Sequence, residues 1–132
     1  MPISSREIFE TAGMILFHNL DIRTTTLGIN LKDCVDSHFP TFKKKVRNKI
    51  VPRARQLVAE SRKLEVKYGV PIVNKRVSVT PVSLIMESHA TRTKYLQMAR
   101  TLDRAAKQAG VDFIGGFGAL VQKGMTKSEQ IL

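Results

Sequence analysis

Three short segments of β-branched and polar residues, each next to a segment with helical periodicity, constrain the fold of this chain most strongly. They are Asp21-Ile-Arg-Thr-Thr-Thr-Leu-Gly28, Pro71-Ile-Val-Asn-Lys-Arg-Val-Ser-Val-Thr-Pro81 and Asp112-Phe-Ile-Gly-Gly-Phe-Gly-Ala119. Strands that alternate with helices form a mostly parallel sheet, because each helix carries the chain back across the sheet. The sequence therefore predicts an α/β fold of three β/α units, and its 132 residues predict a single domain over residues 1–132.

Helix and strand signals give the bounds of these units. The predicted helices run from about Ser4 to Leu20, Thr41 to Tyr68 and Ala90 to Ala109, and the predicted strands cover Asp21 to Ile29, Ile72 to Val79 and Val111 to Phe117. Gly69 and Gly110 are expected to terminate the second and third helices. Pro52 lies inside the second helix, so we expect a kink or two abutting helices there. Residues 32–40 are expected to form a loop, and residues 82–88 a short helical turn.

Composition is that of an ordinary globular protein. Hydrophobic residues make up 42% of the chain, enough for a buried core, and no run approaches the roughly 18 apolar residues of a membrane span. The N-terminus lacks the order of basic and apolar residues found in signal peptides. Cys34 is the single cysteine, which excludes an internal disulfide and is typical of a reducing compartment. We therefore expect a soluble, cytoplasmic protein.

A formal net charge of +11 is the strongest compositional bias. Much of it lies in the second predicted helix, at Lys43, Lys44, Lys45, Arg47, Lys49, Arg53 and Arg55. Such a segment could attract RNA or an acidic protein. However, Phe42, Val46 and Ile50 recur between the charges at helical spacing, and no recognisable nucleic-acid motif accompanies them. The favoured interpretation is therefore the solvated face of an amphipathic helix.

The strand motifs also contain the candidate chemistry. Function in parallel sheets is found at the carboxyl ends of strands, and hydroxyl groups, guanidinium donors and glycine backbone suit a phosphate or carboxylate. The candidate anion-binding residues are Arg23, Thr24, Thr26, Asn74, Lys75, Arg76, Ser78, Gly115 and Gly116. The sequence thus predicts an anion site for a small molecule, and it identifies neither a catalytic residue nor a cofactor.

Strand geometry limits how these candidates combine. Successive strand residues point to opposite faces, so Asn74, Arg76 and Ser78 share one face of the sheet and Lys75 lies on the other. They cannot all serve one pocket. The glycine pair Gly115-Gly116 has two interpretations, close approach of a ligand to the backbone or a tight bend with close strand packing.

Arg76 also has two interpretations. A guanidinium in a sheet needs a partner, and that partner is either a bound anion or an internal carboxylate such as Asp21 or Asp112. The sequence alone favours neither. If Arg76 binds a ligand, we expect it to converge with Arg23 and Asn74 on one anion.

Nucleophilic and metal chemistry find little support in the sequence. Cys34 is close to Asp33 and Asp36, whose charges disfavour a thiolate, so we expect a small buried residue instead. The two aspartates suit turns and helix caps. The histidines, which are His18, His38 and His89, are scattered without ligand spacing. We therefore predict no metal site.

Taken together, the three motifs resemble a family of uncharacterised bacterial and archaeal proteins, domain of unknown function seven-eleven. Its sequences carry Asp-Ile-Arg-Thr-x-Thr-x-Gly-Ile, Pro-Ile-Val-Asn-Lys-Arg-x-Ser-Val-Thr-Pro and Asp-Phe-Ile-Gly-Gly-Phe-x-Ala-Leu-Val-x-Lys-Gly in the same order. The resemblance implies a fold similar to part of the α/β barrel of pyruvate formate-lyase and other glycyl-radical enzymes. Family members are much longer, so this chain resembles their N-terminal portion. The chain has no counterpart of the C-terminal glycyl-radical region, and the family implies no established reaction.

Three hypotheses of function follow. In the first, the chain is part of an enzyme-like α/β barrel and binds an anionic small molecule at its strand ends. In the second, the basic helix binds RNA or an acidic protein, and in the third the chain is a structural partner subunit of a longer homologue. Open strand edges and the apolar end of the segment Thr126 to Leu132 also predict self-association or pairing with another chain.

Overall fold

The structure, a computed structural model, describes residues 3–18, 21–119 and 124–132. Its helices are α1 (Ser5–His18), α2 (Phe39–Tyr68), α3 (Val82–Ile85), α4 (Arg92–Ala109) and α5 (Lys127–Ile131), and its strands are β1 (Ile22–Ile29), β2 (Ile72–Val79) and β3 (Phe113–Gly115). Short 3₁₀ turns cover Lys32–Cys34 and Glu87–His89. This alternation confirms the α/β class. The predicted end of the first helix at Leu20 lies outside the described residues.

The three strands form one parallel sheet in the order β1-β2-β3. In the centre of the sheet, Leu27 of β1 lies beside Val77 of β2, and Val77 lies beside Ile114 of β3. Parallel neighbours need a crossover, which α2 supplies between the first two strands and α4 between the last two. The prediction of three neighbouring parallel strands is therefore confirmed.

The third strand is shorter than the predicted segment Val111 to Phe117. Val111 is 9% exposed and packs into the core directly after the end of α4. Gly116 has a φ of 123°, which turns the chain out of the extended conformation. The strand therefore has room for three paired residues.

Helix α2 is one continuous helix of 30 residues, so of the two alternatives expected at Pro52, a kink or two abutting helices, the second is wrong. Pro52 lies on the exposed side of the helix, where water can satisfy the carbonyl that loses its partner. The side chain of Arg53, the next residue, donates to the carbonyl of Lys49 in the preceding turn at 3.3 Å. Gly69 ends the helix in the left-handed conformation, with a φ of 67°, as the sequence predicts.

Helix α4 ends at Ala109, as the sequence predicts, and begins two residues later than expected. Thr91 caps α4 by accepting a hydrogen bond from the backbone of Lys94, and Gly110 terminates it with a φ of 78°. Thr126 forms a capping box with Glu129 at the start of α5. The apolar end of this segment, expected from the sequence to pair with another chain, is partly covered within this chain, because Ile131 packs against the core.

The core lies between the sheet and the two long helices. It is formed by Phe42, Val46, Ile50 and Ala54 of α2, Met98, Leu102 and Ala105 of α4, and Leu27, Ile29, Val77 and Val79 of the strands. Helices α2 and α4 pack against each other and against the sheet. None of the described helices combines the length and the apolarity that crossing a lipid bilayer requires.

Candidate anion-binding face

Helices α2 and α4 cover one face of the sheet, and the residues of the other face remain accessible. This second face, called the open face below, consists of Thr24, Thr26, Gly28, Asn74, Arg76, Ser78, Phe113 and Gly115. The pairing register sets them in three rows across the strands: Thr24 and Asn74, then Thr26, Arg76 and Phe113, then Gly28, Ser78 and Gly115. The last row lies at the carboxyl ends of the strands. Six of the nine predicted site residues therefore share one surface.

Arg76 occupies the centre of the open face, and its side chain is held at one point. Its Nε donates to Thr26 Oγ1 at 3.2 Å. Neither candidate carboxylate pairs with it, because Asp21 lies 3.8 Å from Arg23 and Asp112 accepts a backbone hydrogen bond at 2.8 Å. Within the part of the chain that the structure describes, Arg76 forms no ion pair. The alternative of an internal carboxylate partner is therefore not realised there.

Two predicted site residues lie away from the open face. Lys75 points towards α2, where its Nζ lies 3.6 Å from the Glu65 carboxylate and donates to the carbonyl of Ile72 at 3.0 Å. Arg23 precedes Thr24, so strand alternation directs it to the side opposite the open face, and its side chain is 80% exposed beside Asp21. The structure does not bring Arg23 or Lys75 together with Arg76.

The two glycines of the predicted Gly115-Gly116 pair have different environments. A Cβ at Gly115 would meet no atom of the described residues within 4 Å, so these residues leave its backbone open to an incoming molecule. A Cβ at Gly116 would lie 2.6 Å from both the side chain and the carbonyl of Val79. The carbonyl of Gly116 also accepts a hydrogen bond from Val82 at 2.9 Å. Gly116 thus allows close packing at the strand end, while Gly115 belongs to the open face.

A shallow depression of about 280 Å³ lies on the open face, lined by Thr24, Arg76, Phe113, Ile114 and Gly115. A larger groove of about 490 Å³ lies at the opposite, amino-terminal end of the strands. It is lined mainly by apolar residues, with Thr11, Met14, Asp21, Ile22, Leu64, Tyr68, Val70 and Ile72 around it. Because the described residues around it include no cation and Asp21 is the one charged residue among them, the groove does not suit an anion. The smaller depression contains the guanidinium of Arg76 and the hydroxyl of Thr24, which suit an anion.

Sequence analysis overlooked two polar residues that follow the last residues of β1 and β2. Thr80 Oγ1 accepts a hydrogen bond from the backbone of Leu31 at 2.9 Å and donates to Asn30 Oδ1 at 3.2 Å. The same Asn30 oxygen accepts from the backbone of Lys32 at 3.0 Å. These bonds fix the carboxyl ends of both strands next to Ser78. Position alone could have identified them, because residues that directly follow parallel strands commonly line sites.

Phe113 and Gly28 on the open face were also not predicted as site residues. Phe113 is 55% exposed and lies beside Arg76 in the register. Gly28 lies beside Ser78, and a Cβ there would meet no atom within 4 Å. The signal for both was the period of two residues, since Gly28 follows Thr26 on the same face and Phe113 precedes Gly115.

Most of the basic stretch in α2 contacts other parts of the chain. The pairs are Lys43 with Gln97, Lys45 with Asp36, Arg47 with Gln108, and Lys49 with Asp33. Lys49 also donates to the carbonyl of Asn30 at 2.5 Å, so it ties the helix to the end of β1. These contacts join the basic face of α2 to α4 and to the segment between β1 and α2.

Cys34 is buried, as predicted, and its environment disfavours a nucleophile. Burial raises the pKa of the Cys34 thiol, and the nearby charge of Asp33 raises this pKa further. Over residues 3–18, 21–119 and 124–132, no three His, Cys, Asp or Glu residues are grouped so that they could hold a metal ion. Among the described residues, the open face therefore remains the candidate site.

The parallel three-stranded sheet with its helical crossovers defines this chain as an α/β protein. The family described as Uncharacterised ACR (DUF711) matches residues 13–132, and the chain belongs to this family. The resemblance carried by the three strand motifs is thereby confirmed.

Curated relatives support the same assignment. A UPF0210 protein of Listeria monocytogenes serotype 4a is 51% identical over 130 residues, which are 98% of this chain and 29% of the relative. The UPF0210 protein of Streptococcus thermophilus is 51% identical over 127 residues (96% of this chain, 28% of the relative), and that of Neisseria gonorrhoeae 49% over 133 residues (100% and 29%). The chain thus spans less than a third of the length of these relatives.

Proposed function

We propose that the open face binds a small anionic molecule through a phosphate or carboxylate group, with Arg76 as the main contact. The observation that carries this proposal is how the Arg76 guanidinium is bonded. It is oriented by Thr26 but is not neutralised by any carboxylate of the described chain. Arginine presents a planar set of donors that matches both kinds of anion, and its terminal amino groups remain available for a bidentate contact.

The neighbours of Arg76 suggest what else the ligand contains. Thr24 and Asn74 offer a hydroxyl and an amide on the amino-terminal side, and Ser78 offers a hydroxyl between Gly28 and Gly115 on the other side. Because the two glycines have no side chains, the surface is low there and a ligand can reach the backbone. Phe113 adds an exposed apolar ring. The surface suits an anion attached to a partly apolar body.

We also infer that this unit contributes to an enzyme-like α/β barrel in the longer family members. Helices on one face of a parallel sheet and polar residues on the other match the arrangement of a barrel wall, in which the second face is interior. The relatives offer more than twice the length of this chain in additional polypeptide that could complete such a barrel. In this arrangement the open face would line the interior, where water is limited and a cation acts strongly on a ligand.

Calorimetric titration with inorganic phosphate and with acetate tests the proposal. Replacing Arg76 by Ala should weaken binding about ten- to hundredfold, the usual effect of losing a charged hydrogen-bond donor. Arg76→Lys should recover part of this loss, since it keeps the charge without the planar fork. Arg23→Ala is the matched control, because it removes the same charge from the opposite side of the sheet. Equal losses in the Arg23 and Arg76 variants, or no loss in either, would overturn the proposal.

A further inference from the structure

The open face continues past the last paired residues of β1 and β2. Asn30 follows Gly28 by two residues, and Thr80 follows Ser78 at the same interval. The period of the strands directs both side chains to the open face. The backbone of Thr80 donates to the carbonyl of Ile29 at 3.3 Å, and Thr80 Oγ1 donates to Asn30 Oδ1 at 3.2 Å. Asn30 and Thr80 therefore form a fourth row at the carboxyl end of this face.

The row between this one and Arg76 has almost no side chains. It consists of Gly28, Ser78 and Gly115, and it is called the trough below. A Cβ at either glycine would meet no atom of the described residues within 4 Å, and neither glycine has a positive φ. Glycine inside a strand weakens it, and neither packing nor backbone conformation within the described chain requires one here. What the glycines provide is free space above the backbone, with the exposed Ser78 hydroxyl in the middle.

The two ends of the trough offer different chemistry. Arg76 provides a cation at one end. At the other end, Asn30 Oδ1 accepts from Thr80 Oγ1 and, at 3.0 Å, from the backbone of Lys32. These bonds fix the orientation of the amide, and its Nδ2 has no acceptor among the described residues. Nδ2 therefore keeps both of its N–H groups for a ligand.

The distance between these ends limits the kind of ligand. Four residues of a strand span about 13 Å, so about that distance separates the rows of Arg76 and Thr80. Across the sheet, three strands span about 10 Å. Phosphate or acetate would fill only the Arg76 end. A larger ligand needs polar groups along its body, because apolar atoms over the Ser78 hydroxyl and the Asn30 amide would leave both unpaired.

We propose that the ligand is a polyhydroxylated anion, a sugar acid or a sugar phosphate, that lies along the trough. Its charged group meets Arg76, as in the proposed function on which this ligand class rests, and its hydroxyl groups bond Ser78 and the Nδ2 of Asn30. Hydroxyl groups accept as well as donate, so they satisfy both side chains. The trough lies on the face that the proposed barrel would enclose, so the barrel would enclose the ligand as well.

Three carboxylates test the ligand class by calorimetric titration of the chain. Gluconate and hexanoate have carbon chains of the same length and differ in their hydroxyl groups, and acetate offers the carboxylate alone. Gluconate should bind at least about tenfold more tightly than acetate, because it adds hydrogen bonds to Ser78 and Asn30. Hexanoate should gain much less, since a site that hydrogen-bonds a hydroxyl rejects the analogue without it. Ribose phosphate against inorganic phosphate gives the same comparison for a phosphate group, and the pair with the larger gain identifies the class of anion.

Two variants test whether the ligand lies in the trough. Gly28→Val fills the trough with a side chain that suits a strand. Asn30→Asp keeps the oxygen that Thr80 and Lys32 use and removes the Nδ2 donors. Each should lower the affinity for the hydroxylated ligand, relative to its simple anion, about tenfold. Thr25→Val, which places the same side chain on the opposite face of β1, is the matched control and should leave this ratio unchanged.

The outcomes distinguish the ligand class from the anion site. If acetate binding depends on Arg76 but neither gluconate nor ribose phosphate gains over its simple anion, the hydroxylated ligand is wrong and the anion site stands. Equal gains for hexanoate and gluconate would also overturn the ligand class. A gain that persists in both Gly28→Val and Asn30→Asp would place the body of the ligand outside the trough and contradict the proposal. If the original chain binds neither acetate nor phosphate, both proposals fail.

Discussion

The two faces of the sheet are built from alternate residues of the same strands, yet different constraints explain their residue types. In β2, Val77 and Val79 are buried under the helices, while Arg76 and Ser78, which alternate with them along the strand, are exposed. Packing explains the residue types on the helix-covered face, because each must fit its neighbours. No packing within the described chain explains an arginine at the centre of the other face. Residues that stability does not require are the better candidates for function.

Lys75 and Arg76 show the same contrast between adjacent cations. Lys75 lies under α2 and is paired with Glu65, so its charge is balanced within the chain. Arg76 has a hydroxyl for a partner and no carboxylate among the described residues. A cation balanced internally stabilises the fold, whereas one left unbalanced is available to a ligand.

The strongest test of the comparison uses one phenylalanine from each side. Phe42 of α2 is fully buried and packs against Phe39 and the ring of His89, at centroid distances of 6.2 and 5.8 Å. Phe42→Ala should lower the free energy of unfolding by about 3 to 5 kcal/mol, through lost burial and a cavity. Phe113→Ala on the open face should cost less than about 1 kcal/mol, since over half of that side chain is already exposed.

Urea denaturation measures both values. If Phe113→Ala costs as much as Phe42→Ala, the open face is covered in solution and the comparison between the faces fails. Such a result in the isolated chain would indicate that another copy covers this face.

The second test uses the adjacent glycines of β3. Gly116→Ala should lower the free energy of unfolding by about 1 to 3 kcal/mol or more, because its Cβ would overlap Val79 and its φ of 123° is strained for alanine. Gly115→Ala should be nearly neutral for folding, since its Cβ would meet no atom within 4 Å. Thermal unfolding of the two variants checks the difference. Equal destabilisation would mean that Gly115 also serves packing.

Local patterns were sufficient to predict most of the fold. The β-branched runs between helical segments predict the bounds of β1 and β2 to within one residue. Gly69 and Gly110 predict where α2 and α4 end. The bounds of β3 were less predictable, because the end of that strand depends on how Gly116 approaches Val79. This approach is a tertiary contact, and residues 111–117 alone do not encode it.

The candidate site was partly predictable for the same reason. The period of two residues is sufficient to put Asn74, Arg76 and Ser78 on one face of a strand. It could not show which strands are neighbours in which register, and the place of Phe113 beside Arg76 depends on that register. The grouping of Arg23 with Arg76 followed residue chemistry alone, and strand alternation argues against it. Whether the grouped residues bind an anion remains a prediction.

The third test compares Lys75 with Arg76 in stability. Lys75→Ala should lower the free energy of unfolding by about 1 to 2 kcal/mol, because it leaves the half-buried Glu65 without its cation. Arg76→Ala should change it by no more than about 0.5 kcal/mol, as expected for an exposed side chain. Chemical denaturation at neutral pH distinguishes them. A large loss of stability in Arg76→Ala would mean that this arginine is structural.

The smallest expected effect is the dependence of stability on acidic pH. It distinguishes the paired charges on the helix-covered side of the sheet from the unpaired charge of Arg76 on the open face. Hydrogen bonds from Lys49 and Lys45 lower the pKa values of Asp33 and Asp36, respectively. A lowered folded-state pKa gives stability that is present above the ordinary aspartate value of about 3.9 and is lost as pH falls through the folded value. The free energy of unfolding should therefore fall below about pH 4. The fall should be small, because both carboxylates are near solvent.

Lys49→Gln should flatten this acid dependence, because it removes the group that lowers the pKa of Asp33. Lys44 has no ion-pair partner in the described chain, so Lys44→Gln should leave the acid dependence unchanged. Added salt should weaken the dependence in the original chain, since it screens surface pairs. Arg76 has no carboxylate partner among the described residues to release on acidification, so acetate and phosphate binding should follow the ionisation of the ligand alone. If binding instead tracks the titration of an aspartate, that carboxylate lies near Arg76 in solution and the open face is not an unbalanced cation site.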